Sequence, residues 1–433
     1  MGTASTMACL LVALGMMPLN GATAPAVSSA RLRIAEATGS LAVTALAPSP
    51  PPSPSQTPNP SHLQQQQPKK DLRPQTILTR SSFHNAITVL QAIGGSTNAA
   101  VHLMAIAGRH PDPAISGPDG ITPATIDEIG RVTPLLVDLK PSGDNYMTDF
   151  HSAGGMPALL HELRKGGLLK PDAMTVTGRT LGDELDHHSH PYKPFKLPEG
   201  TPLSHVIHKL DRPLYPASSL VVFSRGNLSP GGSAIIKASA SGDRSLLKHR
   251  GPAVVFASPA DMAERIDAPN LDVTQDSVLV LQHIGPVGKD SPGMPEAGLI
   301  PIPRKLAARG VKDMLRVSDG RMSGTAGGSI VLHVSPEAGD PESVLGIVRD
   351  GDEIFCDVEN RELSVLISDE EIRRRIQERK ERFRLAEERG ERVESVWETR
   401  KGVRGYRGLY MREVNQAERG VDFGFLTAVG PQA

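Results

Sequence analysis

The 433-residue chain has only two cysteines, Cys9 and Cys356. They cannot build a disulfide framework and lack metal-ligand spacing, so a reducing compartment is expected. Neither sign of charge dominates: 47 Lys and Arg face 48 Asp and Glu, for a net charge of −1. Such a balance gives no general pull toward nucleic acid or an anionic membrane. No apolar run reaches the length of a transmembrane helix. The stretch Met7 to Met17 resembles a signal h-region, but no Lys or Arg precedes it and the first Arg is Arg31. A secretory signal is therefore not expected. Walker A, H-E-x-x-H, Rossmann and C-x-x-C patterns are all absent, which disfavours an ordinary nucleotide or zinc enzyme.

What the chain does have is room for two or three domains and a sizeable core. Its apolar fraction of 39% and charged fraction of 22% suit a soluble globular protein. Gly2 to Leu14 reads as a buried helix, and Pro25 to Gly39 as a second short one. Pro48 to Pro68 then holds eight prolines and four consecutive glutamines, Gln64 to Gln67. That composition cannot bury enough surface to offset its ordering entropy, so residues 44–70 are expected to be a disordered linker or insertion. Helical patterns return over Ser82 to Arg109, broken at Gly94 to Asn98, then around Asp127 to Ile129 and over Gly155 to Lys165.

From about Ser219 the rhythm changes to short β-like runs: Leu220–Phe223, Ser233–Ala238, Ala253–Phe256, Ser277–Gln282, Met314–Val317 and Ser329–Val334. Glu353–Val358 and Leu363–Ile367 read as a hairpin around Glu359-Asn360-Arg361. Asp369 to Arg392 reads as a charged helix with a solvated face. Aromatics gather in the tail at Tyr406, Tyr410, Phe423 and Phe425, which docks back on the chain or joins a subunit interface. The expected class is α/β: an α/β domain followed by a largely β domain.

Val317 to Gly328 joins two strand-like runs through glycines, hydroxyl side chains, Asp319 and Arg321. Glycines let backbone N–H groups approach a ligand closely. A Ser held exposed on such a turn can become a base or nucleophile, although an ordinary Gly/Ser loop has the same composition. Ser96, Thr97 or Asn98 caps the helix that follows; its free N–H groups would also suit an anion. Glu296, on a loop after a strand, is a candidate ligand for a hard cation such as Mg²⁺, or a plain surface carboxylate. His151 before Gly154-Gly155, and the tract Asp186-His187-His188-Ser189-His190, have functional and structural readings alike.

Several segments, in order, resemble the family of dihydroxy-acid dehydratase and 6-phosphogluconate dehydratase. They are Met1 to Met7, Asp71-Leu72-Arg73-Pro74, Ala92 to Asn98, Leu139 to Gly143, Gly154 to Pro157, Thr175 to Gly182, Arg225 to Leu228, Pro292 to Glu296 and Ser318 to Thr325. Gly2 to Met7 and Arg321 to Ala326 are similar to the branch acting on sugar acids such as arabinonate or xylonate. The resemblance implies a hydro-lyase that turns a 2,3-dihydroxy acid into a 2-keto-3-deoxy acid with the help of an Fe–S cluster and Mg²⁺. It implies Ser323 as the base, Glu296 as a Mg²⁺ ligand, and Ser96, Thr97, Asn98, Arg321 and Thr325 on the substrate side. It also implies an α/β domain followed by a β-barrel-like domain similar to the aconitase swivel, a homodimer, and a cytoplasmic location (mitochondrial for the biosynthetic branch). The boundaries expected are a remnant of the α/β domain at 1–43, the Pro/Gln segment at 44–70, the rest of the α/β domain at 71–200, the β domain at 201–395 and a tail at 396–433.

The departures are equally specific. The family's cluster cysteines, two aspartate Mg²⁺ ligands and a carbamylated lysine are expected upstream of Met1, which makes the chain look N-terminally truncated. Neither Cys9 nor Cys356 matches a cluster position, and thiolates are what hold such clusters; none of the cluster cysteines is in this chain. Lys289-Asp290-Ser291 lengthens one loop and the Pro/Gln segment splits a short connection. The expectation is an inactive form of a hydro-lyase. The alternatives are a non-catalytic partner or dimerisation subunit, a sugar-acid-binding module, or the dehydratase of branched-chain amino-acid synthesis. The partner expected is a small-molecule sugar acid, with no nucleic acid and no membrane.

Overall fold

Small and apolar residues make α1 (Thr3–Ala13), which buries Cys9, Leu10, Val12 and Ala13. The chain is described here from a computed structural model over residues 1–46, 71–187, 205–288, 293–294, 300–323, 327–389 and 403–428. Helix α2 (Ser29–Leu46) runs further than the sequence pattern predicts, past residue 44. Ala, Leu and Ser carry the helix on until the prolines begin. The remainder of the Pro/Gln segment, 47–70, lies outside the described residues, as does 188–204 with most of the histidine tract.

After a short turn of helix, α3 (Pro74–Ile77), comes α4 (Arg80–Ala92), against which α1 packs. A Thr79/Ser82 capping box starts α4, and nearly all of its side chains are buried. Its polar residues satisfy neighbouring backbone instead of water. Asn85 donates to the Lys170 carbonyl at 2.9 Å and accepts from the Lys170 N–H at 2.7 Å. Gln91 does the same with Leu220, at 2.9 Å in each direction. Buried polar groups met in this way stabilise and also fix register. Helices α5 (Asn98–Gly108), α6 (Pro113–Ser116), α7 (Pro123–Gly130), α8 (Met147–Ser152), α9 (Gly155–Lys165) and α10 (Leu181–Asp186) complete this first, helical core.

The second part is built on one eight-stranded sheet. The strands are β1 (Val221–Val222), β2 (Ile235–Ile236), β3 (Lys248–Phe256), β4 (Val278–Leu281), β5 (Arg316–Ser318), β6 (Ile330–Leu332), β7 (Glu353–Asp357) and β8 (Glu362–Val365). Their spatial order is β1-β2-β6-β5-β4-β3-β7-β8. The β3-β4-β5-β6 centre is parallel and the flanks are antiparallel. In β4, Val278 and Val280 enter one apolar cluster while Leu279 and Leu281 enter another on the opposite face. That is the period-two rule of a strand buried on both sides. The second face is covered by α11 (Pro259–Arg265) and α12 (Arg304–Ala307), which supply Met262 and Leu306. The sheet curls until its edges meet: Ser224 and Arg225 donate to the Arg361 carbonyl at 3.1 and 2.9 Å, and Leu363 donates back to Arg225 at 3.1 Å. An edge closed in this way presents no open ladder.

The charged helix α13 (Asp369–Glu388) departs from its expected solvated character along one face. Arg379 is only 7% exposed and donates to the carbonyls of Ala338 and Asp340. Arg375 pairs with Asp352. Long basic stems can lie over apolar surface while their heads find partners. The tail docks back as one of its two expected alternatives requires. Helix α14 (Gly405–Glu413) buries Met411 with Val287 and Val414. Asp422 binds Arg109, which follows the last residue of α5, through two 2.6 Å hydrogen bonds. Gly420, with φ +94°, passes so close to α5 that a Cβ would stand 2.3 Å from the Ala105 nitrogen. Among the described residues no helix is long and apolar enough to cross a membrane.

Candidate active site

The two cores meet along a seam, and four of the separated sequence motifs converge there. Gly94, with φ +54°, turns the chain out of α4. At Gly95 a Cβ would lie 2.6 Å from Leu90 Cδ1 and 2.8 Å from Thr6 Cγ2, so only glycine lets α1 approach this turn. The approach brings Thr3 Oγ1 within 2.9 Å of Ser96 Oγ and 3.0 Å of Asn98 Nδ2. Thr6 Oγ1 accepts from the Ser96 N–H at 3.0 Å. Ser96 Oγ in turn accepts the Asn98 N–H at 3.3 Å. The helix start is thus capped by Ser96, while Thr97, at the cap position itself, makes no side-chain cap. Ser96, Thr97 and Asn98 are all buried, at 0%, 6% and 1% exposure.

Across the seam, Asn98 Nδ2 also donates to the Met322 carbonyl at 3.1 Å. Met322 immediately precedes Ser323, which is half-buried. Arg321 donates from Nε to the carbonyl of Met294, two residues before Glu296. The structure therefore unites Ser96 and Asn98, the Arg321–Ser323 loop and the Gly293–Met294 turn. Glu296 and Thr325 lie outside the described residues. His151 is not part of this group; it lies in the last turn of α8, its Nδ1 3.0 Å from Thr23 Oγ1.

The loop rests on two buried carboxylates. Asp319 accepts N–H bonds from His283, Ile284 and Ala338 at 3.1, 3.2 and 2.8 Å. Glu337 accepts from Val287 and Gly288 and from Gln416 Nε2. Burial and the neighbouring Glu337 push the Asp319 carboxyl up to about 7, against the pull of its three N–H donors. Three buried or half-buried basic side chains are shifted by their surroundings, two of them, His102 and His333, by the charge of Arg321. His102, one turn after Asn98 on α5, is pushed toward its neutral form by burial and the Arg321 charge. His333 follows β6 and is fully buried; burial, Arg321 and His102 depress it to about 3. Lys237, after β2, is buried as well, and desolvation lowers it to about 8. Sequence reasoning passes over all three. His102 alone carried a signal, its i+4 spacing from Asn98.

The cysteines do not fit an Fe–S cluster. Cys9 is sealed in the helical core and Cys356 in the sheet core, each at 0% exposure. Burial pushes both thiols up to about 12, whereas cluster ligands are thiolates. Among the described residues no three His, Cys, Asp or Glu side chains gather as a metal site.

A helical core whose helix start faces a Gly/Ser loop of a curled sheet defines an α/β protein with its candidate site at the seam. Residues 1–184 match the N-terminal model, and 205–421 the C-terminal model, of the dihydroxy-acid/6-phosphogluconate dehydratases. The chain belongs to this family. It is 41% identical to the L-arabonate dehydratase of Azospirillum brasilense over 97% of its own length and 62% of that protein's. It is 39% identical to the L-arabinonate dehydratase of Rhizobium leguminosarum bv. trifolii (strain WSM2304), over 96% of this chain and 61% of the relative. The 6-deoxy-6-sulfo-D-gluconate dehydratase of Pseudomonas putida is 37% identical over 99% of this chain and 63% of its own. The chain thus spans slightly under two thirds of the length of these relatives.

Proposed function

We propose that this chain carries the substrate-facing seam of a sugar-acid hydro-lyase. Its substrate class is a 2,3-dihydroxy carboxylate with further hydroxyls, of which arabinonate is the first to test. Ser323, in its ionised form, takes the proton from carbon 2 and hands it to the 3-hydroxyl as the carbon 3–oxygen bond breaks and water leaves; the enol formed between carbons 2 and 3 then loses its 2-hydroxyl proton and gains one at carbon 3 to become a 2-keto-3-deoxy acid. Arg321, Ser96, Thr97, Asn98 and Thr325 are the residues proposed to orient the substrate, and Glu296 is the candidate ligand for a divalent cation. The observation that carries this reading is the Asn98 Nδ2–Met322 carbonyl bond of 3.1 Å, because it holds the helix start beside the loop of Ser323. A base must reach its proton through a fixed geometry, and that bond supplies the fixing.

The burial of both cysteines favours a second reading, in which the same seam binds the acid without turning it over. One experiment separates the two. Calorimetry of the purified chain with L-arabinonate reads binding, and a keto-acid assay of the same sample reads turnover. Binding with turnover that Ser323→Ala abolishes supports the hydro-lyase. Binding without turnover supports the second reading, and no binding at all refutes both.

A further inference from the structure

Gln416 lies in the C-terminal tail just after α14, half-buried, and its side-chain amide meets Glu337 in both directions. Gln416 Nε2 donates to Glu337 Oε1 at 2.8 Å, and Gln416 Oε1 accepts the Glu337 N–H at 2.9 Å. Glu337 is 0% exposed. Its carboxylate accepts from the Val287 N–H at 3.0 Å and from the Gly288 N–H at 3.1 Å. A Cβ on Gly285 would stand 2.6 Å from Glu337 Cβ, so glycine is what lets the carboxylate reach that backbone. One residue before Val287, the Pro286 carbonyl accepts the Gly293 N–H at 2.8 Å, which ties the Gly293–Met294 turn to the same backbone. One residue after Glu337, the Ala338 N–H donates to Asp319 Oδ2 at 2.8 Å, and Asp319 underlies the loop of Ser323. Glu337 and Ala338 therefore stand behind both loops of the candidate site, and Gln416 fastens them to the tail. Tyr410 of α14 seats the tail over the same place: a Cβ on Gly293 would be 3.7 Å from its Oη.

We propose that Gln416 is a positioning residue of the candidate active site: acting through Glu337, it keeps the Gly293–Met294 turn and the Ser323 loop in register with each other. This rests on the seam being the site, as proposed above. An uncharged amide suits the place. It gives a donor to the buried carboxylate and an acceptor to that residue's own N–H, so both groups are met in the interior. A carboxylate in its stead would bring a third acid to Glu337 and Asp319, whose charges already act on one another. Tyr410 is another titratable group facing Glu337, and the charge of Arg321 acts on that phenol. Glu418, two residues further along the tail, accepts from Ser335 Oγ and so grips the same turn of backbone. Gln416 acts by restraining the two loops and not by contact with the acid.

The test reads amide hydrogen exchange, and L-arabinonate binding by calorimetry, for Gln416→Ala and Gln416→Glu, each against the wild-type chain at the same pH. Gln416→Ala removes the donor, so exchange at Val287, Gly288 and Ala338 is expected to quicken about tenfold, with a similar loss of L-arabinonate affinity. Amides of β4 keep their wild-type rates. Gln416→Glu should show the same losses at about pH 8, where a second ionised carboxylate faces Glu337. It should return toward wild type at about pH 5, where a protonated carboxyl donates as the amide does. That recovery separates a hydrogen bond from the mere filling of space. Unchanged exchange in Gln416→Ala would overturn the proposal, as would a Gln416→Glu variant impaired equally at both pH values or at neither. Should Gln416→Ala not fold, Gln416→Glu at the two pH values decides alone. Wild-type chain that binds no L-arabinonate refutes the function proposed above, while the exchange rates still decide whether Gln416 holds the two loops.

Discussion

Asn98 on α5 donates from Nδ2 to the carbonyl of Met322, 224 residues further along the chain, at 3.1 Å. One side chain thus spans the seam between the helical core and the sheet, and the same nitrogen also lies 3.0 Å from Thr3 Oγ1. Replacing Asn98 with Ala strips a buried carbonyl of its donor. The expected cost is about 1–3 kcal/mol, read as a lower midpoint in chemical denaturation. Faster hydrogen exchange confined to the Gly320–Ser323 segment is the sharper expectation. Unchanged exchange there would show that the loop is held by its other ties, those of Asp319, Arg321 and the His333 N–H among them.

A second tie across the seam joins Asp127 of α7 to Arg361 in the β7–β8 turn, with Nε 3.2 Å from both carboxylate oxygens. The side chains are 8% and 10% exposed. Removing one member of a buried pair leaves the other charge uncompensated, so Asp127→Ala is expected to cost roughly 3–5 kcal/mol. Adding Arg361→Ala to it should cost less than the sum of the two single changes. Additive losses in the double-mutant cycle would mean that the two residues act separately.

Much of this architecture was legible in the sequence because it is written in short-range patterns. The short β-like runs became β4, β5 and β6, and the helical pattern from Ser82, broken at Gly94 to Asn98, became α4 and α5. The order of the motifs also identified the family before any of them was seen to touch. The meeting of Asn98 with Met322 was not legible, since no local rule encodes a contact across 224 residues. His333 escaped notice for a related reason. A lone histidine after a strand has no pattern, and only its left-handed backbone and buried Nε2 mark it out. Arg379 was assigned to a solvated face because charge composition says nothing about which arginine of a helix lands on buried carbonyls.

The depressed His333 predicts a pH effect of definite sign. Its native pKa of about 3 lies below the ordinary 6.5, so the unfolded chain binds more protons between those values. Stability from keeping this ring neutral is fully present above pH 6.5 and is lost as pH falls through the window toward 3. His84, His102, His151 and His161 are lowered in the same direction, so the wild-type slope holds several contributions. Comparison with His333→Gln isolates one of them. Between pH 6 and 4 the wild type should lose about 1.4 kcal/mol more per pH unit than the variant, measured by denaturation at each pH. Parallel slopes would mean that the ring is protonated in the native state.

The two cysteines make the last prediction, and it bears directly on the chemistry available to the chain. Cys9 and Cys356 sit in different cores at 0% exposure, with thiols pushed up to about 12. A thiol reagent attacks the thiolate, so the native chain should react at neither position except through unfolding, and both should react together in denaturant. Anaerobic treatment with iron and sulfide should accordingly leave no stoichiometric cluster on the native chain. Cluster uptake that Cys9→Ser or Cys356→Ser removes would show that the cores open to present a thiolate, and the hydro-lyase reading would then gain over binding without turnover. Uptake indifferent to both substitutions would point to ligation through other side chains.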